Sequence, residues 1–208
     1  MGAAGLHRAV YRVRQFGSAL AMRGRPLAEV ERVEVRAWLP AAAWPLFDAM
    51  PRNDQHHSLN VLRALRTAGH AKPALMQAAL LHDAAKSSGG VTLFHRVAVV
   101  LLKVARPDWA ACLAQAPAPA RSDLQYPFWV LANHPHLGAE MATAAGCDAL
   151  AVTLIRRHQE TGGGAEEQGR GGAGERSGAS ISQSQSPAPG QPLVYRLLAA
   201  LQAADDDS

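Results

Sequence analysis

Apolar residues recur at helical spacing along most of the chain, and this periodicity restricts the fold more than any other feature. Between residues 26 and 39 they include Leu27, Val30 and Val33. Residues three or four apart lie on one face of an α-helix, so such a segment predicts a helix with one apolar side. Strong helix formers (Ala, Leu, Arg, Glu and Gln) also outnumber β-branched residues in the 208-residue sequence. We therefore predict one all-α domain, long enough to bury a hydrophobic core.

Proline and glycine mark the ends of the predicted helices. Pro26 and Pro73 each open a helix, because proline is tolerated in the first helical turn. Asn53 or Asp54 is expected to cap a long helix that ends before Gly69. The predicted helices cover residues 5–22, 26–39, 41–50, 53–68, 73–86, 91–105, 133–145, 147–159 and 193–205, with a stop near Pro107 and a loop at 114–123.

The composition changes abruptly at residues 162–191, which are rich in Gly, Ser, Gln and Pro and contain no aromatic residue. Such a segment cannot bury enough apolar surface to offset its ordering entropy, so we predict that it is disordered. The helical pattern resumes after it, which indicates an inserted loop. The predicted organisation is a basic N-terminal helix or arm at 1–25, a core at 26–161, the loop at 162–191, and the last helix of the same domain at 192–208.

Charge and cysteine content restrict the partners and the compartment. The formal net charge is +4, and arginines are most frequent near the start of the chain. We interpret these arginines as a solvated helix face, and nucleic-acid or lipid binding is the less favoured alternative. Cys112 and Cys147 are too few and too far apart for a disulfide framework. No stretch approaches the roughly 20 apolar residues of a membrane span. We expect a cytoplasmic protein that does not bind membranes.

A histidine and an aspartate stand side by side in the apolar stretch AALLHDAAK, at residues 78–86. Both cost free energy to bury unless they are paired or bind a metal. His82 shares a helix face with apolar residues, His57 begins another apolar face, and Asp205 ends the last predicted helix. Three helices can therefore each direct a ligand into one core site, as metal-binding helical bundles do. Histidine and carboxylate ligands suit Mn, Fe, Zn, Co or Mg.

These segments resemble the H…HD…D pattern of the HD-domain metal-dependent phosphohydrolases. The matching stretches are QHHSLNVLRAL, ALLHDAAK and a late AD. The resemblance implies an HD-domain helical bundle whose metal ligands are His57, His82, Asp83 and Asp205. His57 is preferred to His56 because the family's His directly precedes Ser or Thr. Among the terminal aspartates the first is preferred because the family's last ligand commonly follows Ala.

Two later segments extend the resemblance. NHPHLGAEMATAAG at 133–146 and LIRRHQE at 154–160 are similar to the HPxxGA and HHE segments of HD subfamilies that hold two metals. His134 and His158 are the implied additional ligands. The sequence departs from the family in two places, because the GYP signature of cyclic-di-GMP phosphodiesterases is missing and Arg157 replaces one His of the usual pair. One or two divalent ions are therefore expected.

The resemblance implies a phosphomonoesterase or phosphodiesterase that acts on a nucleotide or related phosphoester through metal-activated water. The implied catalytic residues are Asp83, Lys86 and His134. For single residues the alternatives are that Lys86 is a solvated surface lysine and that His134 and His158 are hydrogen-bonded core histidines. At the level of the protein, the alternatives are a catalytically degenerate HD module that binds a nucleotide or a protein partner, and nucleic-acid binding through the basic N-terminus.

Overall fold

The computed structural model describes residues 25–160 and 192–208, and these residues form helices joined by turns without any strand. The prediction of an all-α fold is confirmed for this part of the chain. The helices are α1 (Glu29–Arg36), α2 (Trp44–Asp48), α3 (Arg52–Thr67), α4 (Pro73–Leu81), α5 (Leu93–Ala105), α6 (Pro107–Gln115), α7 (Tyr126–Ala144), α8 (Ala149–Arg157) and α9 (Leu193–Asp207), with 3₁₀ helices at Ala41–Ala43 and Ala84–Gly89.

Helix α4 is the centre of the core. Its residues Leu75, Met76 and Leu80 are fully buried, and seven of its nine residues are buried in all. A helix that is apolar on every side must be covered on every side, and α4 packs against α3, α8 and α9. Each fully buried Leu or Met stabilises the fold by about 1.5–3 kcal/mol. Of the predicted site residues, His57 lies on α3, Asp205 lies on α9, and His158 directly follows α8.

Helices α5 and α6 pack against each other and against α7. Their apolar residues are only partly covered, since Phe94 and Leu101 are exposed. Pro107 does end α5 as predicted, but it also opens α6 at its first turn. The sequence reasoning placed no helix here, because it treated this proline only as a stop.

Two predicted helix starts were wrong. The N-cap of α3 is Pro51 and neither Asn53 nor Asp54. The Asp54 side chain is instead buried in the first turn, where it pairs with Arg96. Helix α7 begins at Tyr126, seven residues before the predicted start at 133. Asn133 does not cap it, because its side-chain amide donates to the carbonyl oxygen of Trp129 inside the same helix, at 3.0 Å.

The predicted N-terminal arm, apart from Arg25, and the whole of the predicted disordered loop lie outside the described residues. Within the described ranges, no helix is long and apolar enough to cross a membrane. Both cysteines have free thiols. Helix α9 follows the second undescribed segment, yet it packs directly on α3 and α8 and so belongs to the same bundle.

Candidate metal centre

His82 and Asp83 occupy the point where α4 changes into the 84–89 3₁₀ helix. His82 has helical backbone angles, whereas Asp83 has φ −104° and ψ 1°. Neighbours in a regular helix diverge by about 100° and do not face each other. The change of backbone conformation at Asp83 turns its carboxylate back, so that Oδ1 lies 3.8 Å from His82 Nε2. Both side chains are buried.

The side chains of four residues converge to form what is here called the first centre: His57, His82, Asp83 and Asp205. His57 Nε2 donates to Asp205 Oδ1 at 2.8 Å. The same carboxylate oxygen lies 3.3 Å from His82 Nε2. His82 Nε2 is nevertheless buried without a hydrogen bond of acceptable geometry. Ligand atoms of His57, His82 and Asp83 all lie within 4.8 Å of one another, which is close enough to share one ion.

Asp83 also belongs to the second centre, which consists of Asp83, His134 and His158. Its Oδ1 lies 3.4 Å from His134 Nε2 and 3.8 Å from His158 Nε2. The two imidazole Nε2 atoms are 3.2 Å apart. All three side chains are buried. One oxygen of Asp83 therefore faces the histidines of both centres.

Three of the histidines are oriented in the same way by a backbone carbonyl of the preceding helical turn. The Nδ1 atoms of His82, His134 and His158 donate to the carbonyl oxygen three residues earlier, at 3.0, 2.8 and 2.7 Å. A carbonyl oxygen only accepts, so each Nδ1 carries a proton, and a neutral ring then presents a lone pair at Nε2. Hydrogen bonds of this kind fix the ring orientation of metal-binding histidines.

Charge inside the cluster is set by burial and by neighbouring groups. Burial would raise the pKa values of Asp83 and Asp205, but Lys86 and His82 hold the first, and His57 and His82 the second, well below the usual range. Burial would lower the pKa of His82, but the two carboxylates raise it to about 9. Burial, and then His82 and His134, lower the pKa of His158 to about 3.

The second centre therefore brings together three atoms that can only accept a proton or bind a cation: two imidazole nitrogens and a carboxylate oxygen. Burial and then Lys86 lower the pKa of His134 as well, so His134 and His158 are both neutral at pH 7. Their Nε2 lone pairs and an ionised Asp83 oxygen then converge within 3.2–3.8 Å with no proton between them. A cation satisfies all three atoms. These buried His and Asp groups can hold a metal ion, and their donor atoms suit a divalent transition metal.

Lys86 is the cation closest to the shared aspartate. Its Nζ donates to Asp83 Oδ2 at 2.6 Å, which leaves Oδ1 directed at the histidines. Lys86 lies in the 84–89 3₁₀ helix, and its side chain is largely buried. This helix packs closely on α7. A carbon atom added at Gly89 would come within 2.8 Å of Val130, so glycine is needed for that approach.

Sequence reasoning missed two residues near the centres. Asp54 lies one turn before His57 on α3 and is bound by the guanidinium of Arg96, with Nη1 2.8 Å from Oδ1. Gln202 lies one turn before Asp205 on α9 and bonds to the end of α8. A polar residue three positions before a ligand was the available signal, because that spacing places both side chains on one helix face.

Arg157 does not take the place of a ligand. Its Nε donates to Glu160 at 2.7 Å, and its guanidinium lies 4.9 Å from the ring centroid of Tyr195. Of the other histidines, His136 is exposed and His56 contacts the carbonyl oxygen of Arg25.

The structure brings every predicted ligand and all three predicted catalytic residues into one cluster. The first centre contains His57, His82, Asp83 and Asp205, and the second contains Asp83, His134 and His158. Lys86 is attached to the residue that both centres share. Comparisons of the chain with protein-family models, with curated proteins and with solved structures find no match.

Proposed function

We propose that this protein is a metal-dependent phosphohydrolase, a phosphomonoesterase or phosphodiesterase that acts on a nucleotide or related phosphoester. The observation that carries the proposal is the convergence of His134 Nε2, His158 Nε2 and Asp83 Oδ1, three electron-rich atoms with no proton to share. At the first centre a second ion would take the place of the Nε2 proton of His82, which is buried without a hydrogen bond of acceptable geometry and faces the carboxylates of Asp83 and Asp205. The H…HD…D pattern links this ligand set to phosphoester hydrolysis.

The residues present fit one or two divalent cations. His57, His82, Asp83 and Asp205 would hold the first, and Asp83, His134 and His158 the second. A bound divalent cation supplies Lewis-acid chemistry, since it lowers the pKa of a water and neutralises charge on phosphate oxygens. The substrate is proposed to be a nucleotide because its phosphate offers such oxygens and its remaining atoms can be recognised outside this polar cluster.

The chain's own groups perform the other tasks. Asp83 stays ionised at neutral pH and can accept a hydrogen bond from an attacking water, which would orient it. The Lys86 ammonium is a point charge that can move from Asp83 Oδ2 to a phosphate oxygen of the substrate. The carbonyls behind His82, His134 and His158 keep their rings fixed while charge develops. If only the first centre is filled, His134 is available to contact the phosphate or leaving group.

The first test is metal content per chain together with hydrolysis of a phosphoester panel. We expect one or two equivalents of Mn, Fe, Zn or Co in the wild type and hydrolysis of at least one nucleotide. Asp83→Asn should lose metal and reduce hydrolysis by at least 100-fold, because both centres use this carboxylate. Asp207→Asn, at an exposed aspartate on the same helix as Asp205, is the matched control and should behave as wild type. Normal hydrolysis by Asp83→Asn would contradict the proposal.

A second candidate is a non-catalytic HD module that binds metal and a nucleotide or protein without turnover. The tight Lys86–Asp83 contact favours it, because this 2.6 Å ion pair would have to break before the lysine could contact a substrate. The two candidates differ in the effect of Lys86→Ala. The phosphohydrolase should lose turnover at constant metal content, whereas the binding module should show no turnover in either protein and unchanged metal content.

A further inference from the structure

The side-chain amide of Gln202, on α9, donates two hydrogen bonds to backbone carbonyls at the end of α8. Its Nε2 donates to the carbonyl oxygen of His158 at 2.9 Å and to that of Glu160 at 2.7 Å. The last carbonyls of an α-helix have no partner within the helix, and these two lie at or just beyond the end of α8. Gln202 therefore binds the α8 terminus from a neighbouring helix.

The position of Gln202 relates it to both candidate centres. It lies three residues before Asp205, so the two side chains share a face of α9. Asp205 belongs to the first centre, through its contacts with His57 and His82. His158, whose carbonyl Gln202 holds, belongs to the second. One helical turn and one hydrogen bond, from Gln202 to the carbonyl oxygen of His158, thus connect a ligand of one centre with a ligand of the other.

Other contacts between α8 and α9 do not make this connection. The guanidinium of Arg157 lies over the ring of Tyr195, and Leu198 and Leu201 of α9 are buried in the core. These contacts hold the helices together without bonding to a ligand residue. Gln202 bonds to the backbone of His158, whose Nδ1 is already fixed by the carbonyl of Ile155. The ring of His158 is thereby restrained at its side chain and its main chain.

We infer that Gln202 is a positioning residue that fixes Asp205 relative to His158 and so links metal binding at the two centres. The inference rests on the proposed function in that it requires both centres to bind metal. Gln202 contacts neither group of ligand atoms directly. Its removal should weaken both centres together, since groups that orient metal ligands typically contribute 10–100-fold to metal affinity.

The test compares three substitutions at this position by titration of metal-free protein with Mn²⁺ or Zn²⁺. Gln202→Glu keeps the shape but removes both donors, and Gln202→Leu removes the polar group altogether. Both should lower the affinity for the first and the second equivalent of metal by about 10-fold or more. Gln202→Lys restores donors to the same carbonyls and should retain affinity within about threefold of wild type.

Gln77→Leu is the matched control on the other end of α8. Gln77 Oε1 accepts from the backbone N–H of Asp148, so this substitution also removes a hydrogen bond between α8 and another helix. Its melting temperature should fall by no more than that of Gln202→Leu, since one hydrogen bond is lost and not two, while its metal affinity stays that of wild type. The melting curves of all variants show whether each one is folded.

The outcomes separate this inference from the proposed function. Wild-type affinity in Gln202→Glu and Gln202→Leu would overturn the role of Gln202 and leave the metal centres intact. An equal loss of affinity in Gln77→Leu would also overturn it, because the effect would then reflect the general stability of α8. A wild-type protein that binds no Mn²⁺ or Zn²⁺ would overturn both proposals.

Discussion

Asp54 and Arg96 form a buried ion pair one turn away from His57. The two side chains are 9% and 16% exposed, and the guanidinium meets both carboxylate oxygens. Burial would lower the pKa of Arg96, but Asp54 and then Asp83 raise it above its usual value, so Arg96 lies within the field of the shared aspartate. The pair therefore ties α5 to α3 beside the first centre.

We predict that Asp54→Asn lowers the free energy of unfolding by about 3 kcal/mol, because it leaves the Arg96 charge buried without its partner. Chemical denaturation measures this change. The matched control is Glu34→Gln, which removes a carboxylate paired with the more exposed Arg63 and Arg66. Its cost should stay below about 1 kcal/mol. Equal costs for the two variants would show that burial does not strengthen the Asp54–Arg96 pair.

Single residues also show what the sequence could predict of the site. His57, His82 and Asp205 were predicted because a polar residue that interrupts an apolar helix face needs an explanation. Asp54 and Gln202 were not predicted, since each is one of many polar residues on a helix. Their partners lie 42 and 44 residues away along the chain. Only the fold, which brings Arg96 of α5 to Asp54 of α3 and packs α9 on α8, reveals such pairs.

Two glycines control how closely the ligand-bearing elements approach each other. A carbon atom added at Gly89 would lie 2.8 Å from Val130, which is one turn before His134 on α7. A carbon atom added at Gly138 would lie 3.3 Å from the end of the Ile155 side chain on α8. The first distance requires the 84–89 3₁₀ helix or α7 to move, whereas the second requires only a small shift of a side chain.

We predict that Gly89→Ala costs about 1–3 kcal/mol of folding stability, as overpacking of a well-packed core typically does. It should also weaken metal binding, because the displaced 3₁₀ helix carries Lys86 and follows Asp83 directly. Gly138→Ala should have a smaller effect on both properties. Thermal melts and metal titration of the two variants measure these changes. A milder effect at Gly89 than at Gly138 would contradict this account.

For the helices, the apolar periodicity predicted the observed bounds better than the expected capping residues did. The apolar pattern placed α3 within one residue of both observed ends, and Gly69 ends it with a φ of 86°. It also placed the start of α4, but this helix ends at Leu81 and not at residue 86, because the chain changes to a 3₁₀ helix after Asp83. The predicted cap at Asn53 or Asp54 was wrong, because Asp54 accepts from Arg96 of a distant helix. Helix α6 was missed because Pro107 both ends one helix and begins the next. Local signals cannot distinguish these two roles of a proline.

At the scale of the whole molecule, the first centre is complete only with α9, which follows the undescribed residues 161–191 and carries Asp205. Gln202 contacts the carbonyl oxygen of Glu160, the last described residue before that gap. Helix α9 extends about 15 Å from its start to Gln202, at 1.5 Å per residue. The two ends of the gap are therefore about 20 Å apart or less, and the contacts of α9 hold them there.

We predict that a Gly/Ser linker of about 12 residues can replace residues 162–190 without a loss of bound metal or of folding stability. Such a linker has a root-mean-square length of about 19 Å, which matches the gap. Shortening the connection changes the loop-closure entropy by less than about 1 kcal/mol, in favour of folding. Melting temperature and metal content should equal or slightly exceed those of wild type. The control ends the chain at Gln191, which removes Asp205 and should abolish binding at the first centre. Metal loss in the linker variant would instead show that residues 162–190 contribute to the centres themselves.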